Sequence, residues 1–158
     1  MNWLYILGSM VISYMAMEGV AWWTHKYVMH GWLWHWHADH HRRDARGAME
    51  RNDRFFAVFA IPGILCLAAG LSGNHPLLLG AGIGITAYGV TYVLVHDVLV
   101  HGRWIKRWRM RNRYLDAIRR AHHIHHRTID RDGASHFGLL WVPRGLWETS
   151  GRSSTGHG

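Results

Sequence analysis

The stretch HKYVMHGWLWHWHADHH, residues 25–41, decides the fold of this chain. It holds six histidines and three tryptophans, and it follows directly on a long apolar run. Two histidine spacings occur in it, H-x4-H and then H-x2-H-H. Both spacings return later, in HDVLVH at 96–101 and in AHHIHH at 121–126. The repeat predicts one site built from two histidine-rich regions.

Ten histidines belong to these four patterns. The i, i+3, i+4 spacing of H-x2-H-H places three imidazoles on one helical face, where they can converge on a metal. In an α-helix the two rings of H-x4-H stand about 140° apart. They either straddle a cleft and serve two ions, or Gly31 and Gly102 mark a local unwinding beyond each second histidine. The candidate ligands are His25, His30, His37, His40, His41, His96, His101, His122, His125 and His126.

Lysine and arginine are segregated from the apolar runs. The 158-residue chain carries a net charge of +8, yet all 18 Lys and Arg lie within 26–54 or 103–152. This pattern predicts a membrane protein with both basic segments in the cytoplasm and the N-terminus outside. A Gly80-x-x-x-Gly84 pair favours close helix packing in the third span. The predicted spans, each near the length that a bilayer requires, are Trp3–Trp23, Phe55–Gly73 and Leu77–Val95.

The segment Arg103–Arg127 has a helical apolar stripe that leads into the second H-x2-H-H motif, with Arg and Lys on the opposite side. It predicts an amphipathic helix along the membrane surface. Residues 137–147 are too short to span and predict an interfacial segment. The fold class is therefore an all-α integral membrane protein with about three transmembrane helices, cytoplasmic histidine-bearing helices and this surface helix. Residues 1–149 form one predicted membrane-embedded domain, and 150–158 a disordered tail.

Ten imidazoles exceed the needs of one metal, and two ions of about five ligands each are the natural count. Imidazole suits zinc, copper, iron and nickel. Structural zinc is saturated by four ligands, so ten argue against it. The Glu-x-x-His signature of soluble diiron bundles is absent from the sequence. An all-imidazole site still permits oxygen activation by iron.

Together, HKYVMHGWLWHWHADHH, HDVLVH, and AHHIHH followed by SHFGLLWVP resemble the bacterial carotenoid 3-hydroxylases. These are β-carotene hydroxylases of the fatty acid hydroxylase superfamily of membrane non-haem diiron enzymes, whose members may have four membrane helices. The resemblance covers Glu18 to about Pro143. This sequence departs from the usual pattern at Val98, which replaces a glycine, and at His35 and His123, which therefore are poor candidates for ligands.

The resemblance implies two iron ions, molecular oxygen, and electrons from ferredoxin or an NAD(P)H-linked reductase. It implies hydroxylation at C3 of β-ionone rings, from β-carotene through β-cryptoxanthin to zeaxanthin or from canthaxanthin to astaxanthin. The substrate would be dissolved in the bilayer of the inner membrane, with the metal site on the cytoplasmic side. The basic segments are expected to contact anionic lipid or an acidic electron carrier. Nucleic acid is not an expected partner, since no nucleic-acid-binding motif accompanies the charge.

Three carboxylates are candidates for supporting roles. Glu18 lies within a predicted span and shares a helix face with His25, so it pairs near the metal, lines the substrate path, or is buried between helices. Asp39 and Asp97 adjoin candidate ligands and either orient imidazoles or face solvent. His136 is expected to hydrogen-bond near the metal or to face water. His75 and His157 are not expected to be ligands.

Two other functions remain open. The same chemistry fits a fatty-acyl or sterol hydroxylase or desaturase. A non-catalytic haem-binding or metal-binding membrane protein would also carry histidines at this depth. The tryptophans near the first histidine region are typical of an aromatic belt at the bilayer surface, which we favour over stacking on substrate.

Overall fold

Every regular element in the described part of the chain is helical. The computed structural model describes residues 2–42, 49–105 and 112–148. π-Helical segments prolong two of the helices, at Thr24–Trp32 and Val93–Val100, and a 3-10 turn forms at Arg51–Asp53. Within the described ranges the α-helices are α1 Trp3–Trp23, α2 Trp34–Arg42, α3 Arg54–Ser72, α4 Pro76–Tyr92, α5 Arg113–His125 and α6 Gly145–Glu148.

Local sequence sets where these helices begin. The Asn2 side chain accepts the Leu4 N–H at the start of α1. Proline occupies the first position of α4, where its missing N–H removes no helical hydrogen bond. The Asn112 side chain accepts the N–H groups of Tyr114 and Leu115 at the start of α5. Each cap satisfies amide groups that a helix start leaves without a partner.

Three helices are long and apolar enough to cross a bilayer, which confirms the three predicted spans. They run over Trp3–Trp32, Arg51–Ser72 and Pro76–Val100. The first and third are longer than predicted, because the π-helical segments continue them through the H-x4-H motifs. His25, His30 and His96 are therefore part of spanning helices, and His101 is the C-cap residue of the third.

Helix α4 lies between α1 and α3. A Cβ at Gly80 would collide with the Ile6 carbonyl and Ser9, and one at Gly84 with the Met10 carbonyl and Ser13. The predicted glycine pair thus lets α1 approach the backbone of α4. Apolar association in a bilayer depends on such close packing, because lipid supplies no hydrophobic drive between helices.

Another pair of glycines brings α3 onto α4. A Cβ at Gly70 would lie 2.5 Å from the Leu79 nitrogen, and one at Gly82 would lie 2.7 Å from the Leu67 nitrogen. The large side chains that point away from these contacts, such as Ile12 and Leu65, are exposed. Such outward apolar surface fits contact with lipid.

The predicted amphipathic helix over Arg103–Arg127 is wrong in its first part. Gly102 has φ +62, Trp104 lies in a bend, and Asn112 is extended with φ −142. The helix begins only at Arg113, because Asn112 caps it there; residues 106–111, with Trp108, lie outside the described residues. The remainder of the stripe is confirmed, as its buried face carries Ala117, Ile118, Ala121, His122 and His125.

Residues 127–143, which we call the strap, leave α5 and return over the histidine-bearing ends of the spans without forming a regular helix. Leu139 packs with Met17, Ala21 and Tyr88. Val142 packs with α5. The strap therefore connects α1, α4 and α5. The predicted tail at 150–158 lies outside the described residues.

We expect Gly84→Ala to destabilise the protein by about 1–3 kcal/mol, because the new methyl group overpacks the α1–α4 contact. Thermal unfolding in detergent micelles measures this. Gly89→Ala is the matched control in the same helix, since a Cβ at Gly89 meets no atom within 4 Å. Equal stability of the two variants would contradict the packing described.

Candidate metal centre

The π-helical segments bring each H-x4-H pair to one side of its helix. In a π-helix, hydrogen bonds join residues five apart, and the His101 N–H donates to the His96 carbonyl at 3.1 Å. The rings of His25 and His30 lie 5.3 Å apart, and those of His96 and His101 4.7 Å apart. The expectation that the rings straddle a cleft is wrong, because it assumed α-helical rotation.

The alternative expectation, unwinding beyond each second histidine, agrees with the backbone. Gly31 has non-helical angles of φ −104 and ψ −119. Gly102 has φ +62, a conformation that glycine adopts without strain. Gly31 therefore kinks the first π-helical segment near its end, and Gly102 turns the chain two residues after the second.

The histidines form two buried clusters. Within each, the ligand nitrogens lie within 4.8 Å of one another. The first cluster consists of His25, His30, His37, His41 and His125. The second cluster consists of His40, His101, His122 and His126. Nine of the ten candidate ligands are thus brought together in two groups.

The tenth candidate, His96, lies beside the second cluster. Its ring centre is 4.9 Å from that of His40, 4.7 Å from that of His101 and 4.8 Å from that of His122. His25 has matching neighbours in the first cluster, at 4.4 Å from His125, 5.3 Å from His30 and 5.0 Å from His37. The two halves of the site are therefore approximately symmetric, and His96 is the counterpart of His25.

Each H-x2-H-H motif serves both clusters. In α2 the i and i+4 residues, His37 and His41, belong to the first cluster, while His40 belongs to the second. In the second motif the assignment is reversed: His122 and His126 belong to the second cluster, and His125 belongs to the first. The expectation that three neighbouring imidazoles meet at one ion is therefore corrected. At the centre, the rings of His41 and His126 stack 4.3 Å apart, so the two clusters touch.

Backbone carbonyls of the strap orient most of the first cluster. Each accepts a hydrogen bond from the Nδ1 of one histidine. The pairs are His25 with Phe137 at 2.9 Å, His30 with Arg131 at 2.8 Å, His41 with Thr128 at 2.7 Å and His125 with Ser135 at 2.7 Å. The fifth member, His37, donates to the Asn52 side-chain oxygen at 2.6 Å.

Carboxylates take this role at the second cluster. Glu50 accepts from the Nδ1 of His40 at 2.7 Å, and Asp97 accepts from the Nδ1 of His96 at 2.9 Å. Arg103 donates to both Asp53 oxygens, at 2.6 and 2.8 Å, and lies 3.5 Å from Asp97. A carboxylate behind an imidazole makes its other nitrogen a stronger donor to metal. The second cluster is thus bordered by charged side chains, whereas the first is bordered by neutral carbonyl and amide oxygens.

These outward hydrogen bonds fix the tautomers. A carbonyl or carboxylate oxygen only accepts, so Nδ1 carries the proton and Nε2 presents a bare lone pair. The Nε2 atoms of His30, His41 and His125 nonetheless lie 3.1–3.2 Å from one another. The Nε2 atoms of His40 and His126 are buried and have no hydrogen-bond partner. Lone pairs at this separation repel unless a cation lies between them.

The spacing of the nitrogens fits a metal ion. For metal–imidazole bonds of about 2.1 Å, neighbouring nitrogens lie about 3.0 Å apart in an octahedron and about 3.4 Å apart in a tetrahedron. The observed 3.1–3.2 Å in the first cluster lies between these two values. The first cluster can therefore hold a divalent ion, and the ligand nitrogens of the second lie within the same 4.8 Å of one another.

Burial keeps these imidazoles neutral. It lowers the pKa of His41 from 6.5 to about 4. Burial, followed by the neighbouring histidines, lowers the pKa of His37 and His122 well below 6.5. Near neutral pH the lone pairs are consequently available, and no proton has to be displaced for a metal to bind.

The surplus histidines lie outside both clusters. His35 and His123 are exposed, and His75 is exposed at the N-cap of α4. The His136 ring contacts the Ser135 hydroxyl at 2.8 Å. His157 lies outside the described residues.

The three candidate carboxylates have different surroundings. Asp97 orients His96, which is one of the two roles considered for it. Asp39 does not orient an imidazole, because its Oδ2 accepts the N–H of Arg51 at 2.8 Å; it positions the 3-10 turn instead. Glu18 accepts hydrogen bonds from the strap and from Tyr88.

Apart from Asp97, the groups that orient the rings were not predicted from the sequence. Glu50 and Asn52 follow the first histidine motif by several residues, at no characteristic spacing. The strap carbonyls are main-chain groups, which no residue type marks. An acidic residue within a basic segment was the one available signal for Glu50.

Comparison with known proteins identifies the family. The fatty acid hydroxylase family matches residues 10–146. The β-carotene hydroxylase of Pseudescherichia vulneris is 45% identical over 132 residues, which cover 84% of this chain and 74% of that protein. The β-carotene hydroxylase of Pantoea ananas is 41% identical over 143 residues, covering 90% and 81%. The chloroplastic β-carotene 3-hydroxylase of an Oncidium hybrid cultivar is 39% identical over 143 residues, covering 88% and 46%.

No solved structure matches the chain. The family match extends from the first span to α6, and it includes the nine histidines of the two clusters, His96 beside them, and the residues that surround them. The chain therefore belongs to the fatty acid hydroxylase family.

Proposed function

We propose that the protein is a membrane diiron monooxygenase that hydroxylates C3 of the β-ionone rings of carotenoids. One oxygen atom of O2 enters the C–H bond and the other leaves as water, with two electrons and two protons from an external donor. The observation that carries the proposal is an aromatic cavity within the membrane-spanning helices that is lined by histidines of both clusters. The names of the relatives support a carotenoid as the substrate.

We assign five imidazoles to each of two iron ions. The all-imidazole donor set suits iron, and five imidazoles per ion exceed the four ligands that saturate structural zinc. Bound iron would supply the oxygen activation that an unactivated C–H bond requires. The proposed ligands are the first cluster for one ion, and His96 together with the second cluster for the other.

The cavity lies beneath the histidines. Its walls are mostly apolar, and its histidine-lined end carries His25, His96 and His122. The Tyr92 ring stacks on that of His96 at 4.8 Å. Such a cavity would hold an apolar ring against the metal site and exclude water. Its aromatic lining consists of Phe55, Phe56, Phe59, Tyr88, Tyr92 and Phe137.

Gly89 is the smallest wall residue that α4 contributes. A Cβ at this position would meet no atom within 4 Å, so the glycine borders open space in the cavity. A large side chain here would occupy the space that we assign to the ring, without touching a histidine.

We place the histidine clusters on the cytoplasmic side of the inner membrane, because the basic segments flank them. A cationic face suits docking of an acidic electron carrier such as ferredoxin. Arg42, Arg51 and Arg113 are exposed there. Reporter fusions after residues 45 and 74 should report opposite sides of the membrane; the same side for both would refute this topology.

The alternative functions can be distinguished by the lipid product that is formed and by the absorption spectrum of the protein. A fatty-acyl or sterol hydroxylase, or a desaturase, would modify another lipid and leave carotenoids unchanged. A haem protein would need only two axial histidines and would show a Soret band. The names of the relatives favour the carotenoid.

Expression in cells that accumulate β-carotene tests the substrate. We expect pigment analysis to show β-cryptoxanthin and zeaxanthin, and Gly89→Phe to lower their yield more than about tenfold, because it fills the cavity. Iron per chain should stay unchanged in this variant, and Gly89→Ala should keep the parent's activity. Unchanged carotenoids with the parent protein would overturn the proposed substrate, and full activity of Gly89→Phe would overturn the cavity.

Single histidine variants test the ligand assignment. We expect His41→Ala and His126→Ala each to abolish hydroxylation and to lower bound iron, since each opens a coordination position in a different cluster. His35→Ala and His123→Ala are matched controls with exposed rings, and they should lose no more than about tenfold. Activity per unit of membrane protein and iron in the purified variants are the measurements. A His123→Ala variant as inactive and as iron-poor as His126→Ala would contradict the assignment.

A further inference from the structure

Glu18 is held by an unusual set of donors for a side chain within a spanning helix. Its Oε1 accepts the successive backbone N–H groups of Leu139, Leu140 and Trp141, at 2.9, 2.9 and 3.0 Å. Its Oε2 accepts the Tyr88 hydroxyl at 2.8 Å. Successive N–H groups that converge in this way form a nest that binds an anion. The carboxylate thus fastens the strap to α1 and α4.

The fastened segment is the one that orients the first cluster. Phe137, whose carbonyl accepts from the Nδ1 of His25, stands two residues before the nest. Three further strap carbonyls hold His30, His41 and His125. No regular helix or strand fixes residues 128–141 within the described chain. The position of these carbonyls therefore depends on how the strap is attached to its neighbours. It leaves α5 at its start, and near its end it is held by Glu18, by the Tyr114 hydroxyl on the Leu140 carbonyl and by the packing of Leu139 and Val142.

We propose that Glu18 is a positioning residue for the first metal site, acting through the strap and not by contact with the metal. The second cluster has other supports, because Glu50 holds His40 and Asp97 holds His96. Loss of the Glu18 contact should consequently weaken metal binding at the first cluster and leave the second unaffected. This inference rests on the proposed function only to the extent that the clusters bind metal.

Glu18→Gln is the sharpest change, since it keeps the shape of the side chain. The amide oxygen still accepts, but the charge that strengthens hydrogen bonds from three N–H donors is gone. Tyr88→Phe is the milder second variant. It removes the hydroxyl that orients the carboxylate and preserves the packing of a ring that is 1% exposed.

The test uses full-length protein in detergent. In each of two background variants, a pair of His→Ala changes removes ligands from one cluster and leaves the other complete. His101→Ala with His122→Ala leaves the first cluster intact, and His30→Ala with His37→Ala leaves the second. Co²⁺ serves as the probe in place of iron, and competition with a chelator gives its dissociation constant. Each background is measured with and without Glu18→Gln, and with and without Tyr88→Phe.

In the background that keeps the first cluster, we expect Glu18→Gln to weaken Co²⁺ binding about 10–100-fold, the range for loss of a group that orients a metal ligand. In the other background, Co²⁺ should bind as it does without Glu18→Gln. Equal weakening in both backgrounds would show a general structural role and overturn the proposal, as would no weakening in either.

If Glu18→Gln does not accumulate in the membrane, the same comparison is made with Tyr88→Phe. A smaller loss of Co²⁺ affinity that is confined to the first cluster supports the proposal. Co²⁺ binding equal to that of the unchanged background overturns it. The readout is independent of substrate. A parent protein that left carotenoids unchanged would refute the proposed function and would not alter this result.

Discussion

The repulsion between inward-facing imidazole lone pairs is the constraint on which the rest of the structure depends. Carbonyl and carboxylate oxygens hold the Nδ1 protons on the outer side of seven rings. Bare Nε2 atoms then face one another at about 3.1 Å among buried side chains. A cation would remove this repulsion, so we expect metal binding and folding of the histidine region to be coupled.

The helices are arranged to meet this constraint. Close glycine contacts fix α1 and α3 on α4, and π-helical segments then rotate one histidine pair of α1 and one of α4 toward the centre. Helices α2 and α5 each give residues to both clusters, and the rings of His41 and His126 stack where the clusters meet. Because neither cluster is complete without both helices, a metal in either one would stabilise the whole arrangement.

Much of this could be predicted from the sequence, because it depends on side-chain type and spacing. The three spans followed from length and charge, and the ten patterned histidines all lie in or beside the clusters. The rotation of the H-x4-H pairs could not be derived, since it needs hydrogen bonds between residues five apart that no local sequence rule specified. The start of α5 was predicted too early, at Arg103, because the apolar pattern of the helix already begins before Asn112. Asn112 caps the helix, so it starts only at Arg113. The strap carbonyls escaped prediction because main-chain acceptors have no residue signature.

X-ray absorption at the iron K-edge of the purified protein, with iron counted per chain, tests most directly whether two all-histidine sites hold two ions. The arrangement described here predicts two irons per chain, a first coordination shell of nitrogen and oxygen at about 2.1 Å, and the outer scattering of several imidazoles around each ion. One iron per chain, a porphyrin spectrum, or sulfur in the first shell would contradict it.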